Sequence, residues 1–197
     1  MKTLKHITVF CGSGAGTDPD FERRAYDLGK ALAESGIGLV YGGAKIGLMG
    51  AVANGAIDHA GHAIGVLPHF LASKEIAHEK LSELILVENM HERKMKMHEL
   101  SDGIITLPGG YGTMEELFEM LTWAQLGLHQ KPIGILNVNG FYDELIAMLD
   151  TMVRKGLLKA INREMLLVDE HTETLLKRMQ NYNAPEVPKW IQTEEET

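Results

Sequence analysis

Between an apolar run, Gly103-Ile104-Ile105-Thr106-Leu107, and an apolar helical pattern stands Pro108-Gly109-Gly110-Tyr111-Gly112-Thr113-Met114-Glu115-Glu116. These residue types in this order suit a phosphate monoester. Glycines let backbone N–H groups converge, the start of the following helix offers unpaired donors and a positive dipole end, and Thr113 adds a hydroxyl. Glu115 and Glu116 fall in the first helical turn, where carboxylates also serve as capping groups. Two acids beside an anion site partly repel it, so at least one is expected to turn toward a reacting centre. A second set of chemical groups lies upstream in Met90-His91-Glu92-Arg93-Lys94-Met95-Lys96-Met97-His98-Glu99. On a helix, Arg93 and Lys94 diverge by about 100°. One cation can therefore reach a site at the strand ends while the other pairs with a carboxylate or faces solvent.

Two further glycine clusters follow predicted strands, where ligands bind in open α/β sheets. Gly12-Ser13-Gly14-Ala15-Gly16 can bring backbone amides and Ser13 close to a phosphate or ribose, but it lacks the dinucleotide fingerprint. Thr17 stands where the third glycine is needed, and the second strand ends in Val40-Tyr41-Gly42 without an acid. Gly42-Gly43-Ala44-Lys45-Ile46-Gly47-Leu48-Met49-Gly50 permits tight turning and close ligand approach, which glycine turns also provide without a ligand. No loop ends in Gly-Lys-Ser or Gly-Lys-Thr, and no Gly-x-Ser-x-Gly is present, which disfavours triphosphatase and acyl-transfer chemistry. The histidines show no HExxH pattern, and no metal site and no cofactor are assigned. Cys11, the single cysteine, ends a predicted strand and reads as a small buried hydrophobe rather than a nucleophile.

The elements that must position these groups alternate in period. Apolar runs at Ile7–Phe10, Ile37–Tyr41, Ala63–Val66, Leu84–Val87, Gly103–Leu107 and Pro132–Leu136 read as strands. Helical patterns cover Phe21–Glu34, Gly47–Ala60, Met90–Leu100, Gly112–Leu126 and Tyr142–Val153, and Pro68–Lys80 is less regular. Leu166–Val168 suits a final edge strand and Thr172–Met179 a final helix. Near-continuous apolar strands separated by helices imply an α/β fold, a Rossmann-like doubly wound parallel sheet with helices on both faces. Residues 1–182 read as one nucleotide-binding domain and 183–197, with Pro185, Pro188 and Glu194-Glu195-Glu196, as an extended tail.

Composition narrows the function. The 197 residues suffice for one domain that buries roughly 70% of its unfolded surface. With 19 basic and 27 acidic residues the net charge is −8, which opposes binding to nucleic acid or an anionic membrane surface, so an anionic ligand must be held locally. The absence of a long apolar stretch or a leader-like start points to a cytoplasmic protein without membrane association.

In order and spacing, Pro108-Gly109-Gly110-Tyr111-Gly112-Thr113-Met114-Glu115-Glu116 and Met90-His91-Glu92-Arg93-Lys94 resemble the paired motifs of the LONELY GUY family, the cytokinin-activating phosphoribohydrolases. The resemblance extends to Tyr41-Gly42-Gly43, Gly47-Leu48-Met49-Gly50 and Thr122-Trp123-Ala124-Gln125-Leu126-Gly127, and so covers roughly residues 5 to 155. It implies a homodimer that hydrolyses the N-glycosidic bond of an N6-modified adenosine 5′-monophosphate, or of AMP itself, releasing the base and ribose 5-phosphate. By the family motif Arg93 and Glu116 match the catalytic pair, and Gly110 through Thr113 match the phosphate loop. Glu75, Lys94 and Thr122 correspond to further substrate contacts. Gly109, Ser13, Gly42, Gly43 and Met90 are assigned to the substrate site with them, and the pocket around residues such as Met90, Met97 and Trp123 is expected to set base specificity. Ala44 departs from the third glycine that the family often carries, a change expected to tune fit. The family also bears the label lysine decarboxylase, yet no residue suggests a pyridoxal-phosphate site. A broader nucleotide 5′-monophosphate nucleosidase and a noncatalytic nucleotide- or cofactor-binding module, such as a molybdenum-cofactor carrier, are the competing readings.

Overall fold

The computed structural model describes residues 3–72 and 77–186. Seven parallel strands form one sheet in the order β4-β3-β2-β1-β5-β6-β7: β1 (His6–Phe10), β2 (Gly38–Tyr41), β3 (Ala63–Pro68), β4 (Glu83–Val87), β5 (Gly103–Thr106), β6 (Ile133–Leu136) and β7 (Leu166–Asp169). Between them run α1 (Pro19–Glu34), α2 (Gly47–Asp58), α3 (His69–Ala72), α4 (Met90–Leu100), α5 (Tyr111–Gln125), α6 (Asp143–Arg154) and α7 (Ala160–Arg163), and α8 (Thr172–Gln180) follows β7. The expected doubly wound sheet is present, including its edge strand β7. Two short helices, α3 and α7, had no periodic signal because each holds only four residues. Of the expected tail, residues 187–197 lie outside the described residues.

Both faces of the central strands are apolar because each packs its own core. Ile7, Val9, Leu39, Tyr41, Ile105 and Leu107 join one cluster with Leu28, Leu32 and Val52 of α1 and α2. Phe10, Val40 and Ile104 point the other way, into a cluster with Met97, Leu117, Met120 and Trp123 of α4 and α5. This two-residue alternation, apolar on both sides, is what a parallel strand covered by helices requires.

Strand order reverses between β1 and β5, the neighbours that open the two halves of the sheet. The chain leaving β1 turns toward β2 while that leaving β5 turns toward β6, so a crevice opens beyond their carboxyl ends. Gly12 N–H donates to the Pro108 carbonyl at 3.0 Å and holds the two departing loops together. Helix α4 is set beside this crevice by its start and by its middle. Asn89 caps it by accepting from Glu92 N–H at 2.9 Å. The Thr8 hydroxyl of β1 donates to the Met97 carbonyl at 2.9 Å, fixing the rotation of the turn that carries Arg93.

Candidate active site

A cavity of about 260 Å³ occupies the crevice. Its lining comes from the ends of β1 and β2, from α4, and from Gly110 through Thr113 with both Glu115 and Glu116, and it includes Ser13, Gly42 and Met90. Arg93 Nη1 donates to Glu116 Oε1 at 3.0 Å, and Arg93 Nε donates to the Val66 carbonyl at the end of β3 at 3.1 Å. Each side chain of the pair is only 9% exposed. Gly42 permits this arrangement: a Cβ there would sit 2.0 Å from Arg93 Nη2, so any side chain would evict the guanidinium.

Burial pushes the Glu116 carboxyl up to about 7 although Arg93 pulls it down. Near neutrality the group therefore divides between its acid and carboxylate forms, which suits a catalytic proton-transfer or charge-stabilising group. Cys11 lines the same cavity. Burial, and then the neighbouring Glu116, raise its thiol far above the ordinary range against the opposing pull of Arg93, so it stays protonated. That agrees with a packing role and not with a nucleophile.

The other acid of the pair faces a different partner. Lys94 Nζ donates to Glu115 Oε1 and, at 2.9 Å, to Glu119 Oε1. Burial works against the ammonium, but the two carboxylates more than offset it and hold Lys94 above its ordinary range. Glu115 remains 57% exposed, whereas Glu116 is the buried member of the doublet. Geometry thus separates two adjacent glutamates that residue type alone left equivalent.

At the head of α5, Gly110 is the capping residue and has no side chain with which to cap, so the first-turn N–H groups have no intrahelical acceptor. Thr113 is buried and folds back over Gly109; a Cβ on Gly109 would lie 2.1 Å from the Thr113 hydroxyl oxygen. Tyr111 stands 97% exposed at the cavity. Unpaired N–H groups at a helix start with a buried hydroxyl beside them are the kind of arrangement that can receive an anion, and they line the same cavity as the Arg93–Glu116 pair.

Several expected contacts fall elsewhere. Glu75 lies outside the described residues. Lys94 is engaged by Glu115 and Glu119 and is not among the residues lining the cavity. Thr122 donates to the Phe118 carbonyl at 2.7 Å, on the flank of α5 beside a separate groove with Leu121, Leu149 and Met152. Trp123 belongs to the core, edge-on to the His98 ring at 5.4 Å, so Met90 and Met97 line the cavity without it. Gly43 supports the turn after β2 with φ of 78° and accepts a hydrogen bond from His78 N–H. Ala44 pairs with Ala77 in that same strap, away from the cavity lining. Met49 was not anticipated as a lining residue; its signal was its place in Gly47-Leu48-Met49-Gly50, one helical turn beyond the glycine-rich bend.

A family model described as "possible lysine decarboxylase" matches residues 49–179. A cytokinin riboside 5′-monophosphate phosphoribohydrolase of Arabidopsis thaliana is 44% identical over 180 residues, covering 91% of this chain and 82% of its own. The chain belongs to this phosphoribohydrolase family. A probable member from Oryza sativa subsp. japonica is 47% identical, with 89% of this chain and 79% of its own covered. Among solved structures, a molybdenum cofactor binding protein from Rippkaea orientalis superposes with a TM-score of 0.70 at 23% identity, covering 92% of this chain and 98% of that one. A molybdenum cofactor carrier from Chlamydomonas reinhardtii superposes with a TM-score of 0.67 at 20% identity, covering 91% and 100%. At such identity the likeness speaks to the fold. The phosphoribohydrolase family therefore shares its Rossmann-type frame with cofactor-binding proteins.

Proposed function

We propose that this chain hydrolyses the N-glycosidic bond of cytokinin riboside 5′-monophosphates through Arg93 and Glu116, with the phosphate held by Gly110 through Thr113. The observation that carries this reading is the buried Arg93–Glu116 pair in one cavity with the head of α5. Cleavage of an N-glycoside develops positive charge on the ribose while negative charge gathers on the departing base. A Glu116 carboxylate stabilises the sugar side and orients or deprotonates water, as carboxylates do in O-glycoside hydrolysis. Water adds at the anomeric carbon, the carbon–nitrogen bond breaks, and the base leaves with a proton. Arg93 anchors Glu116 from the β3 side and keeps part of it ionised despite burial.

The phosphate cradle acts by alignment, since fixing the 5′-phosphate turns remote binding energy into placement of the anomeric carbon. Met90 and Met49 offer an adaptable apolar surface for the base and its N6 substituent, backed by the buried Met97, and AMP itself fits the same chemistry. Incubation with N6-prenylated AMP, AMP and other purine and pyrimidine monophosphates, alongside the matching nucleosides, tests the reading. Release of base and ribose 5-phosphate from the adenosine-type monophosphates, with nucleosides turned over poorly, is expected. No release from any monophosphate would sink it.

A homodimer is part of the same proposal. Phe118 and Leu121 of α5, packed at the edge of the core, line an apolar groove of about 260 Å³ together with Leu149, Met152 and Leu158. Met148, Leu157 and Ile161, in α6, after it and in α7, are also exposed, at 53%, 85% and 42%. Sedimentation at micromolar concentration should give twice the 21.8 kDa chain mass; a monomer would count against this part.

A further inference from the structure

The loop that starts the phosphate cradle contains Gly109 and Gly110, which have the greatest backbone freedom of any residue and lose the most of it on ordering. A cradle whose amides must hold one direction therefore needs fixing from outside the loop. Two successive carbonyls at its entrance are fixed in this way. The Pro108 carbonyl accepts from Gly12 N–H at 3.0 Å on the β1 side. The Leu107 carbonyl accepts from the Tyr142 hydroxyl at 2.7 Å on the β6 side.

Leu107 lies one residue past the end of β5, where the ladder to β6 has stopped at Thr106. Its carbonyl is buried with a fully covered residue and takes the phenol in place of a strand partner. Tyr142, at 1% exposure, is itself held: its N–H donates to Asn137 Oδ1 at 2.8 Å, and Asn137 Nδ2 donates to Asp143 Oδ1 at 2.8 Å. Asn137 N–H in turn donates to the Asp169 carbonyl at the end of β7 at 2.8 Å. A continuous chain of hydrogen bonds thus runs from β7 through Asn137 and Tyr142 to the first residue of the loop. Because peptide units are planar and, among the described residues, all trans, directing two consecutive carbonyls also directs the units that lead into Gly109.

We propose that Tyr142 is a positioning residue for phosphate recognition, acting through the Leu107 carbonyl on the loop that precedes Gly110. The proposal rests on the reading of Gly110 through Thr113 as the phosphate cradle. Tyr142 does not line the cavity that holds Arg93 and Glu116, so its effect must reach the ligand through the loop. The hydroxyl, rather than the ring, carries the role: the ring packs edge-on to Phe141 at 4.8 Å, and phenylalanine would fill the same space.

The two products separate positioning from general stability, because ribose 5-phosphate engages the cradle and adenine does not. Tyr142→Phe should raise the inhibition constant of ribose 5-phosphate about three- to tenfold while leaving that of adenine unchanged, the scale of one lost hydrogen bond. The acid limb of kcat/KM should stay where Glu116 places it. Equal weakening of both products, or no change in either, would overturn the proposal. Thr113→Val, measured in parallel, tests the cradle directly. If it weakens ribose 5-phosphate alone and Tyr142→Phe does not, the role of Tyr142 fails and the cradle stands. If Thr113→Val leaves both products unaffected, the cradle reading fails and the proposal with it. Should Tyr142→Phe not yield folded protein, 3-fluorotyrosine at position 142 keeps the ring and makes the hydroxyl a stronger donor. Ribose 5-phosphate should then bind more tightly relative to adenine, and an unaltered ratio would overturn the assignment.

Discussion

Helices α4 and α5 face each other across two ion-pair rungs built from sequence neighbours, Arg93 with Glu116 and Lys94 with Glu115 and Glu119. The Arg93 rung is closed from solvent on both sides, braced by a strand carbonyl, and opens only into the cavity. The Lys94 rung is half in water on the Glu115 side and touches the cavity only through Glu115, whereas Lys94 and Glu119 are not among the lining residues and Glu119 Oε2 is buried without a hydrogen-bond partner. One residue of rotation, about 100°, separates the two environments. A buried pair is held at a cost in desolvation and is available for chemistry; a partly solvated pair mainly joins two helices.

The largest effect should come from the acid of the closed rung. Glu116→Gln should lower turnover by about 10²- to 10⁴-fold while ribose 5-phosphate binding survives. Retained turnover would remove Glu116 from the chemistry and dissolve the contrast between the rungs. Arg93→Met should follow, with a stability loss in urea unfolding that approaches about 3–5 kcal/mol only at alkaline pH, where the buried carboxylate would be left unpaired, and is smaller at neutral pH, where Glu116 takes up a proton instead. Arg93 is also the main group lowering Glu116, so in that variant any remaining acid limb of kcat/KM should move above 7.

In the unaltered protein, kcat/KM should rise about tenfold between pH 6 and pH 8 as Glu116 ionises near 7. The linked stability has the opposite sign. A carboxyl raised from 4.5 to about 7 by folding favours the native state fully below 4.5, and that contribution is lost as pH rises through 7. The unfolding free energy of the unaltered protein minus that of Glu116→Gln should therefore fall over this window; a flat difference would break the link between burial and titration.

The open rung should respond more weakly. Lys94→Met should cost about 1–3 kcal/mol by leaving buried Glu119 oxygens unpaired, with kcat within a few-fold. A large rise in KM for the nucleotide would instead return Lys94 to the substrate contacts that the family resemblance implied. Glu115→Gln should be the mildest in stability, within about 0.5 kcal/mol, while the acid limb of kcat/KM moves slightly lower because a charge that helps raise Glu116 is removed.

The fold was legible because its signals are local and repeated. Apolar runs of four or five residues alternating with amphipathic helices leave little choice but a covered parallel sheet, and α4 was bounded correctly from its pattern. α3 and α7 escaped because one turn carries no period. Within the site, the place of the glycine loop was readable, because glycines followed by threonine between an apolar strand and an apolar helix mark a helix start at a strand end, and Gly110 through Thr113 do line the cavity there. Trp123, Thr122 and Lys94 were not separable from the site by type, since a bulky, hydroxylated or cationic side chain on these helices can face either the cavity or a neighbour. The support that Tyr142 gives to Leu107 left no trace in spacing, because that bond joins residues 35 apart in the chain.

The order and types of residues therefore determined a doubly wound sheet, the position of its glycine-rich turns, and a short set of ionisable groups able to cleave a nucleotide. Those properties depend on neighbours along the chain. Only the tertiary structure decided which carboxylate of Glu115-Glu116 is buried at about 9% exposure against Arg93 and which remains paired with Lys94 near water. That choice depends on the rotation of α5 against α4, set by core contacts such as Leu117, Met120 and Met97 and by the Thr8 hydroxyl bond to the Met97 carbonyl. Desolvation, the force that lifts Glu116 into the range where it can work, exists only once those helices have packed.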